Sequence, residues 1–533
     1  MKRTNILWII ALVLGWLFDL LFWKHAAGIN FAIYVVLCLA GGFLVLGLND
    51  LKPSWKSLLL LIPILFFAAM TFSRQEPMSL FLSFVFTLGL MGTLAVTFLG
   101  GRWPRYSLSD YVTNYARLIG SMVARPLMFL SENKKQAAVA GTPVANAAGS
   151  RSGWKRFWAI LRGVLLALPI IIVFAALLSS ADLVFAQRLH DFTRLFRLEN
   201  LPEYIFRGVY ILIGAYMLAG AILHAAQKSQ DKKLVGMEKP LVSQFLGFTE
   251  AAVVLGAVVV LFAVFVVIQF QYFFGGQTNI GVQGYTFSEY ARRGFGELVA
   301  VAFCSLLLFL GLSAIVRRQS MAQRWAFSGL GIGMVVLVGV MLVSAFQRLL
   351  LYEAAYGFSR LRLYTHVFMI WLGALLAVVV VLDILRKERF FALTALLASI
   401  GFAATLALVN VDGYIVRQNV ARATTGEGLD VPYLASLSAD SVPVLVEEFQ
   451  SSSLPGMTRD AVGVILICHT YQTSNRQDTN WRSFTLAGWQ ADKALEVVRG
   501  ELDKYNVNDN NWPVQIFTPG SVRYECQGSG MGD

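Results

Sequence analysis

Runs of about 20 apolar residues recur along this chain, beginning with NILWIIALVLGWLFDLLFW at 5–23. Each is long enough to cross a hydrocarbon layer about 30 Å thick. Inside lipid a backbone must satisfy its own hydrogen bonds, which leaves repeated apolar runs one outcome, a bundle of helices. Composition agrees, with 57% of residues hydrophobic and 14% charged, against about 25% charged in soluble domains. Hydropathy places spans near 5–23, 31–48, 57–72, 79–99, 158–178, 204–226, 245–274, 297–316, 326–347, 364–382 and 390–408. The expected fold is all-α, a polytopic membrane bundle of about 11 spans, 10 to 12 by where the ends are set, with a small, mainly helical C-terminal extramembrane domain. The first run follows Lys2 and Arg3, but it exceeds a signal peptide's apolar core and no cleavage site follows, so it is read as a retained helix.

Charge divides the chain by side. Residues 1–412 hold 35 basic and 18 acidic side chains, and residues 413–533 hold 9 and 14. Lysine and arginine are retained on the cytoplasmic face. With the N-terminus inside, segments 1–4, 49–56, 100–162, 227–243, 317–325 and 383–389 carry 24 basic residues, against 11 in the outer loops and their borders. An odd number of spans then sends 409–533 outside, giving a multi-pass protein of a bacterial cytoplasmic membrane with its C-terminus extracytoplasmic. The positive balance points to anionic headgroups of the bilayer as partner, not to nucleic acid.

Four regions follow: a first transmembrane module at 1–99, a cytoplasmic segment at 100–157, a second module at 158–408 and the C-terminal domain at 409–533. Within the segment, Tyr111, Tyr115, Leu118 and Met122 share a helical face, suited to the membrane surface or to neighbouring loops. Residues 131–153 are rich in Ala, Gly and Ser without apolar period and read as a flexible linker.

Polar residues at membrane depth are the candidate sites. Asp19 falls inside the first span and Glu250 near the start of the seventh, as buried carboxylates that could form structural pairs or serve transport. Between the seventh and eighth spans, Thr286 to Glu289 match a capping box, and Glu289, Arg293 and Glu297 follow at helical spacing. With Arg292, Arg360, Arg362 and His366 they form a candidate polar site at the outer membrane boundary, near the depth also expected for Asp182, Glu353 and Asp412. The alternative is a set of local ion pairs at helix ends.

No histidines pair at metal-ligand spacing, and no H-E-x-x-H, C-x-x-C or P-loop pattern occurs, so no metal or cofactor is expected. Gly329, Gly331 and Gly333 suit close helix packing. Cys468 and Cys526 form a disulfide if the tail is outside, or remain two buried thiols. The tail supplies helix starts at Ser441 ahead of Val442-Pro443 and in FTLAGWQADKALEVVRGELDKY; 462–468 reads as helix or strand, and the end, PGSVRYECQGSGMGD, as irregular.

The phrases FDLLFWKHAAGIN, SSADLVFAQRL, IQFQYFFGG, YTFSEYARRGFGELVAV, YGFSRLRLYTHVFMIWL and YLASLSADSVPVL together resemble a bacterial membrane family, domain of unknown function 4173. The resemblance implies a polytopic bacterial membrane protein and carries no reaction, ligand or catalytic residue. It does not cover 131–153 or the last 80 or so residues. Three functional classes remain. A scaffold or sensor presenting the outer domain to a protein partner is favoured by the contrast between bundle and tail. A secondary transporter would use Asp19 or Glu250. An outer-face enzyme on lipid-linked substrate ranks third, because the first outer loop is only KHAAGIN.

Overall fold

The computed structural model describes residues 4–139, 201–230, 244–274, 295–474, 480–508 and 513–526, with a few helical residues between 174 and 188. Among the described residues, ten helices are long and apolar enough to cross a membrane. Each corresponds to one of the expected spans, and the expected span at 158–178 lies outside the described residues but for Phe174 and Leu178. The bundle comprises α1 (Thr4–Phe22), α2 (Ile29–Gly47), α3 (Trp55–Leu58), α4 (Leu61–Ser73), α5 (Pro77–Thr97), α7 (Leu201–Gln227), α8 (Phe248–Phe274), α9 (Phe295–Ile315), α10 (Met321–Tyr356), α11 (Arg360–Ile384) and α12 (Phe391–Leu408). The third span is split into α3 and α4 because the Pro63 ring excludes the carbonyl four residues back, at Leu59, from a regular helix. A long helix, α6 (Leu108–Val139), follows α5. It runs nine residues into the stretch read as linker, a correction at 131–139.

The chain forms two compact units, residues 1–20 with 119–224, and residues 21–118 with 225–533. In the first, α7 packs on α1 and on α6 through small residues. A Cβ at Gly15 would lie 2.7 Å from the Ile211 carbonyl oxygen, and one at Gly220 would lie 2.6 Å from the Met122 backbone. Such approaches drive helix association where lipid removes the hydrophobic incentive.

Among the described residues, the second unit has three apolar cores. Phe31, Ile64, Phe67, Leu90 and Ala403 join α2, α4, α5 and α12. Leu255, Phe309, Met334, Val338 and Leu376 join α8, α9, α10 and α11. The third core belongs to the tail and continues into the bundle: Leu434, Leu445, Ile465 and Val498 are buried with Leu406, and Met78, Leu82 and Phe402 pack against them. The tail folds as α13 (Val411–Thr424), α14 (Val431–Ala435), α15 (Val442–Gln450), α16 (Gly456–Ser474), α17 (Leu486–Leu502) and an antiparallel sheet β1-β2-β3. Residues 462–468 lie in α16, where Val462, Val464, Ile465 and Leu466 are fully buried. The chain end read as irregular instead contains β3 (Arg523–Cys526), paired with β2 (Val514–Phe517) in the register Val514 to Cys526. Val514 and Ile516 alternate inward along β2, and that inward face orders a polar sequence which lacks a strand pattern of its own.

Loops sort to two ends of this unit. At one end, the Ile29 amide donates to Phe484 O at 2.9 Å and the Phe358 amide to Asn419 Oδ1 at 2.9 Å, bringing loops between spans against the tail. At the other, Ser54 N bonds Phe98 O at 2.8 Å, Gly100 N bonds Ser229 O at 2.9 Å and Arg317 N bonds Leu246 O at 2.9 Å.

Candidate functional site

The end that meets the tail carries a network of buried charge. Asp412 lies in the first turn of α13, and its carboxylate is fully buried. Arg360, the first residue of α11, grips it with both arms of its guanidinium, Nε at 2.7 Å and Nη2 at 2.6 Å. The Ser438 amide donates a third bond at 2.7 Å, and the Arg360 amide donates to the Tyr433 hydroxyl at 2.8 Å. Arginine suits this role because its fork matches a carboxylate in two places.

Asp440 is the second anchor. It accepts from the amides of Gln75 at 2.6 Å and Glu76 at 3.0 Å, in the turn between α4 and α5. Arg74 lies 3.4 Å from the same carboxylate and also donates to the Ala407 and Leu408 carbonyls at 3.1 Å, satisfying orphan acceptors at the end of α12. Asn410 donates to the Asp440 carbonyl at 2.7 Å. Burial pushes the Asp440 carboxyl above its usual range, opposed in part by the Gln75 amide and Arg74. Glu76 caps α5 by accepting from Met78 N at 2.9 Å and Ser79 N at 2.7 Å, and it receives the Tyr364 hydroxyl from α11. Residues 436–440 are thereby held between the α4–α5 turn and the start of α11.

The α10–α11 turn supports this arrangement. Gly357 adopts φ +78°, and a Cβ there would collide with Asn419 Oδ1. Asn419 in turn donates Nδ2 to the Phe358 carbonyl at 2.9 Å, so a side-chain amide pairs with the turn as a strand would. Arg362 stacks 4.3 Å from the Tyr352 ring and donates to the Gly357 carbonyl. One turn deeper, His366 Nδ1 lies 3.4 Å from Glu353 Oε1, with both residues buried and the His366 ring 4.4 Å from Phe346.

Among the described residues of the second unit, the sequence-predicted ones form local contacts. Arg360 meets Asp412, His366 meets Glu353, and Arg362 braces the turn between them. Asp19 lies in the first unit, where Arg207 holds it at 2.9 and 2.5 Å and the Tyr210 hydroxyl also reaches it. Glu250 is exposed, a correction to its reading as a buried carboxylate: it sits two residues into α8 and accepts from Gly247 N at 2.9 Å. Its early position lets it satisfy the start of its own helix. Glu297 is exposed in the first turn of α9. Glu289, Arg292, Arg293 and Asp182 lie outside the described residues. Cys468 in α16 and Cys526 in β3 are joined by a disulfide, with Cα atoms 5.6 Å apart. Among the described residues, no group of three His, Cys, Asp or Glu side chains is placed to hold a metal ion.

Sequence reasoning missed Arg74, Glu76, Ser438 and Asp440. Two signals were available. Glu76 precedes Pro77 as N-cap and first helical residue, and Ser438-Ala-Asp440 precedes Val442-Pro443. Three donors occupy the Asp412 carboxylate, whereas both carboxylate oxygens of Glu353 and Nε2 of His366 are buried without a hydrogen bond among the described residues.

The family described as Domain of unknown function (DUF4153) matches residues 61–448. That match replaces the resemblance to domain of unknown function 4173. Short aromatic phrases set between apolar helices report the architecture more readily than the family. No curated protein and no solved structure matches the chain.

Proposed function

The chain belongs to the family Domain of unknown function (DUF4153), and from that premise we propose that it is a membrane scaffold whose bundle holds the C-terminal domain in a fixed orientation for a protein partner. The carrying observation is the double anchorage of 436–440, through Asp412 to Arg360 and through Asp440 to the Gln75 and Glu76 amides. A domain held by buried charge is costly to release, which suits presentation better than swinging. The transport reading loses its named carboxylates, since Asp19 is occupied by Arg207 and Glu250 caps its own helix. A groove of about 610 Å³ on the tail, bordered by Tyr471, Asp492, Glu496 and Asp503, is the surface we assign to the partner.

The proposed orientation is N-terminus inside and tail outside. In support, Lys52, Lys56, Arg102, Arg105, Arg317, Arg318, Arg324, Arg386 and Arg389 gather in the loops away from the tail. At the tail end, Arg74 and Arg360 are paired with aspartates. The Cys468–Cys526 bond accords with an oxidising compartment.

The test is complementation in cells lacking the protein, with insertion verified by membrane fractionation. Asp412→Asn with Asp440→Asn abolishes function if the tail must be fixed, while Glu250→Gln leaves it intact. Loss of function with Glu250→Gln, and retention with the double variant, would favour transport and refute the scaffold.

A further inference from the structure

At the end of the bundle away from the tail, the loop before α10 and the end of α11 enclose a cavity of about 250 Å³. Its walls include Arg318, Arg324, Trp325, Ser328, Asp383 and Arg386. Three cations thus face one anion, and their commitments differ. Arg318 is engaged: it lies 3.6 Å from Asp383, stacks 4.4 Å from the Phe327 ring, and donates to Ser313 O at 2.9 Å and Ser313 Oγ at 2.6 Å. Among the described residues, Arg324 bonds through Nε alone, to the Arg318 carbonyl at 3.3 Å. Among the described residues, the Arg386 side chain reaches only the Met321 thioether, a weak acceptor, at 3.5 Å. Two guanidinium groups are therefore available to an anion.

Asp383 makes the cavity more than a basic patch. It is 7% exposed, and its Oδ1, 3.6 Å from Arg318 Nη1, has no hydrogen-bond partner among the described residues. A buried acceptor left unmade is expensive, and a donor entering the cavity relieves it. The rim is apolar and exposed, with Trp325 60%, Met321 55%, Leu385 56% and Ile384 42% accessible. Tryptophan beside arginine at a helix end is the pattern of a membrane interface. We infer that this cavity binds the headgroup of a phospholipid which carries, beside its phosphate, a hydrogen-bond-donating ammonium or alcohol. The phosphate bridges Arg324 and Arg386, the donor meets Asp383 Oδ1, and the acyl chains lie along Trp325 and Ile384. Basic pockets between membrane helices take such headgroups by charge-assisted bonds. A soluble phosphate would satisfy the arginines but leave the rim and Asp383 unused.

The test is native mass spectrometry of the full-length protein in detergent, with phosphatidylethanolamine, phosphatidylglycerol and phosphatidylcholine of matched chains. Phosphatidylcholine has the phosphate but no donor. The first two are retained at least about fivefold better, and Arg324→Ala and Arg386→Ala each lower retention about fivefold. Both side chains are exposed and lie outside the tail anchorage, so an unchanged thermal transition verifies the fold of each variant. Equal retention of phosphatidylcholine would overturn the inference, as would a double variant that binds normally. Full displacement of lipid by millimolar inorganic phosphate would also overturn it, by showing a site for a free anion.

Discussion

Asp412 shows how strongly one residue can bind two parts of this chain. Its carboxylate is fully buried and depends on Arg360, so Arg360→Ala leaves a buried charge uncompensated. Losing one partner of such a pair costs about 3–5 kcal/mol. The tail of that variant is expected to become protease-sensitive well below the wild-type temperature, with Arg360→Lys intermediate because it keeps the charge without the fork. Unchanged protease sensitivity would show that the pair carries little of the docking. Asp440 supplies a pH signature. Its folded carboxyl is raised by burial, and Glu448 shifts the same way through burial and then Glu447. A raised folded value means the contribution is fully present below the unfolded value and is lost as pH rises through the folded one. As far as these two groups act, docking tightens on acidification from neutrality toward the carboxylate range. Asp440→Asn flattens the slope, read as the proteolysis midpoint at about pH 5 and about pH 7.5. A steeper slope in the variant would contradict the assignment.

At the scale of elements, packing rests on a few close approaches. Gly401 on α12 lies directly under the Trp371 ring of α11, and the indole donates to Thr405 Oγ1 at 3.1 Å. Gly401→Ala forces that ring aside and is expected to destabilise the protein by about 1–3 kcal/mol, measured as a lowered thermal transition in detergent. Gly42→Ala, where a Cβ meets nothing within 4 Å, serves as the control. The Gly329-Leu-Gly-Ile-Gly333 run behaves differently from its motif. Gly331 meets Phe309 of α9, whereas Gly329 meets nothing within 4 Å. Spacing revealed a small-residue face without saying which glycine is used, because that depends on the partner's side chain. In the tail, the Cys468–Cys526 bond ties β3 to α16 across 58 residues. Cys526→Ser is expected to cost about 2–4 kcal/mol and to free the strand first. Faster hydrogen exchange confined to 514–526 would show this, and equal loosening of the bundle would contradict it.

For the molecule as a whole, the bundle was readable because hydropathy and helix length are local properties. A helix start was readable for the same reason at Ser441, ahead of Val442-Pro443, whereas the caps at Asn410, Ser320 and Glu76 were not read. The anchorage was not, because Asp440 meets Gln75 from 365 positions away and no periodicity connects them. Glu250 was misread because hydropathy does not distinguish the first turn of an apolar helix from its interior. The hydrogen bond from Gly100 N to Ser229 O places both on one face, which requires an even number of crossings between them. Leu201–Gln227 supplies one by length and hydropathy, and the apolar sequence at 158–178 is the candidate for another. A cysteine introduced at Ser179 is therefore expected to react with an impermeant thiol reagent only from the side that labels a cysteine at Ser453, and labelling from the opposite side would break the parity.

The central claim is that tail and bundle share one buried anchorage. Hydrogen exchange of the intact protein in lipid nanodiscs tests it at the amides of Gln75, Glu76 and Ser438, each a donor to Asp440 or Asp412. Protection of peptides spanning 74–79 and 436–442 equal to that of the flanking helices is the predicted result. Exchange of both peptides at the earliest times, with the helices on either side still protected, would contradict the account.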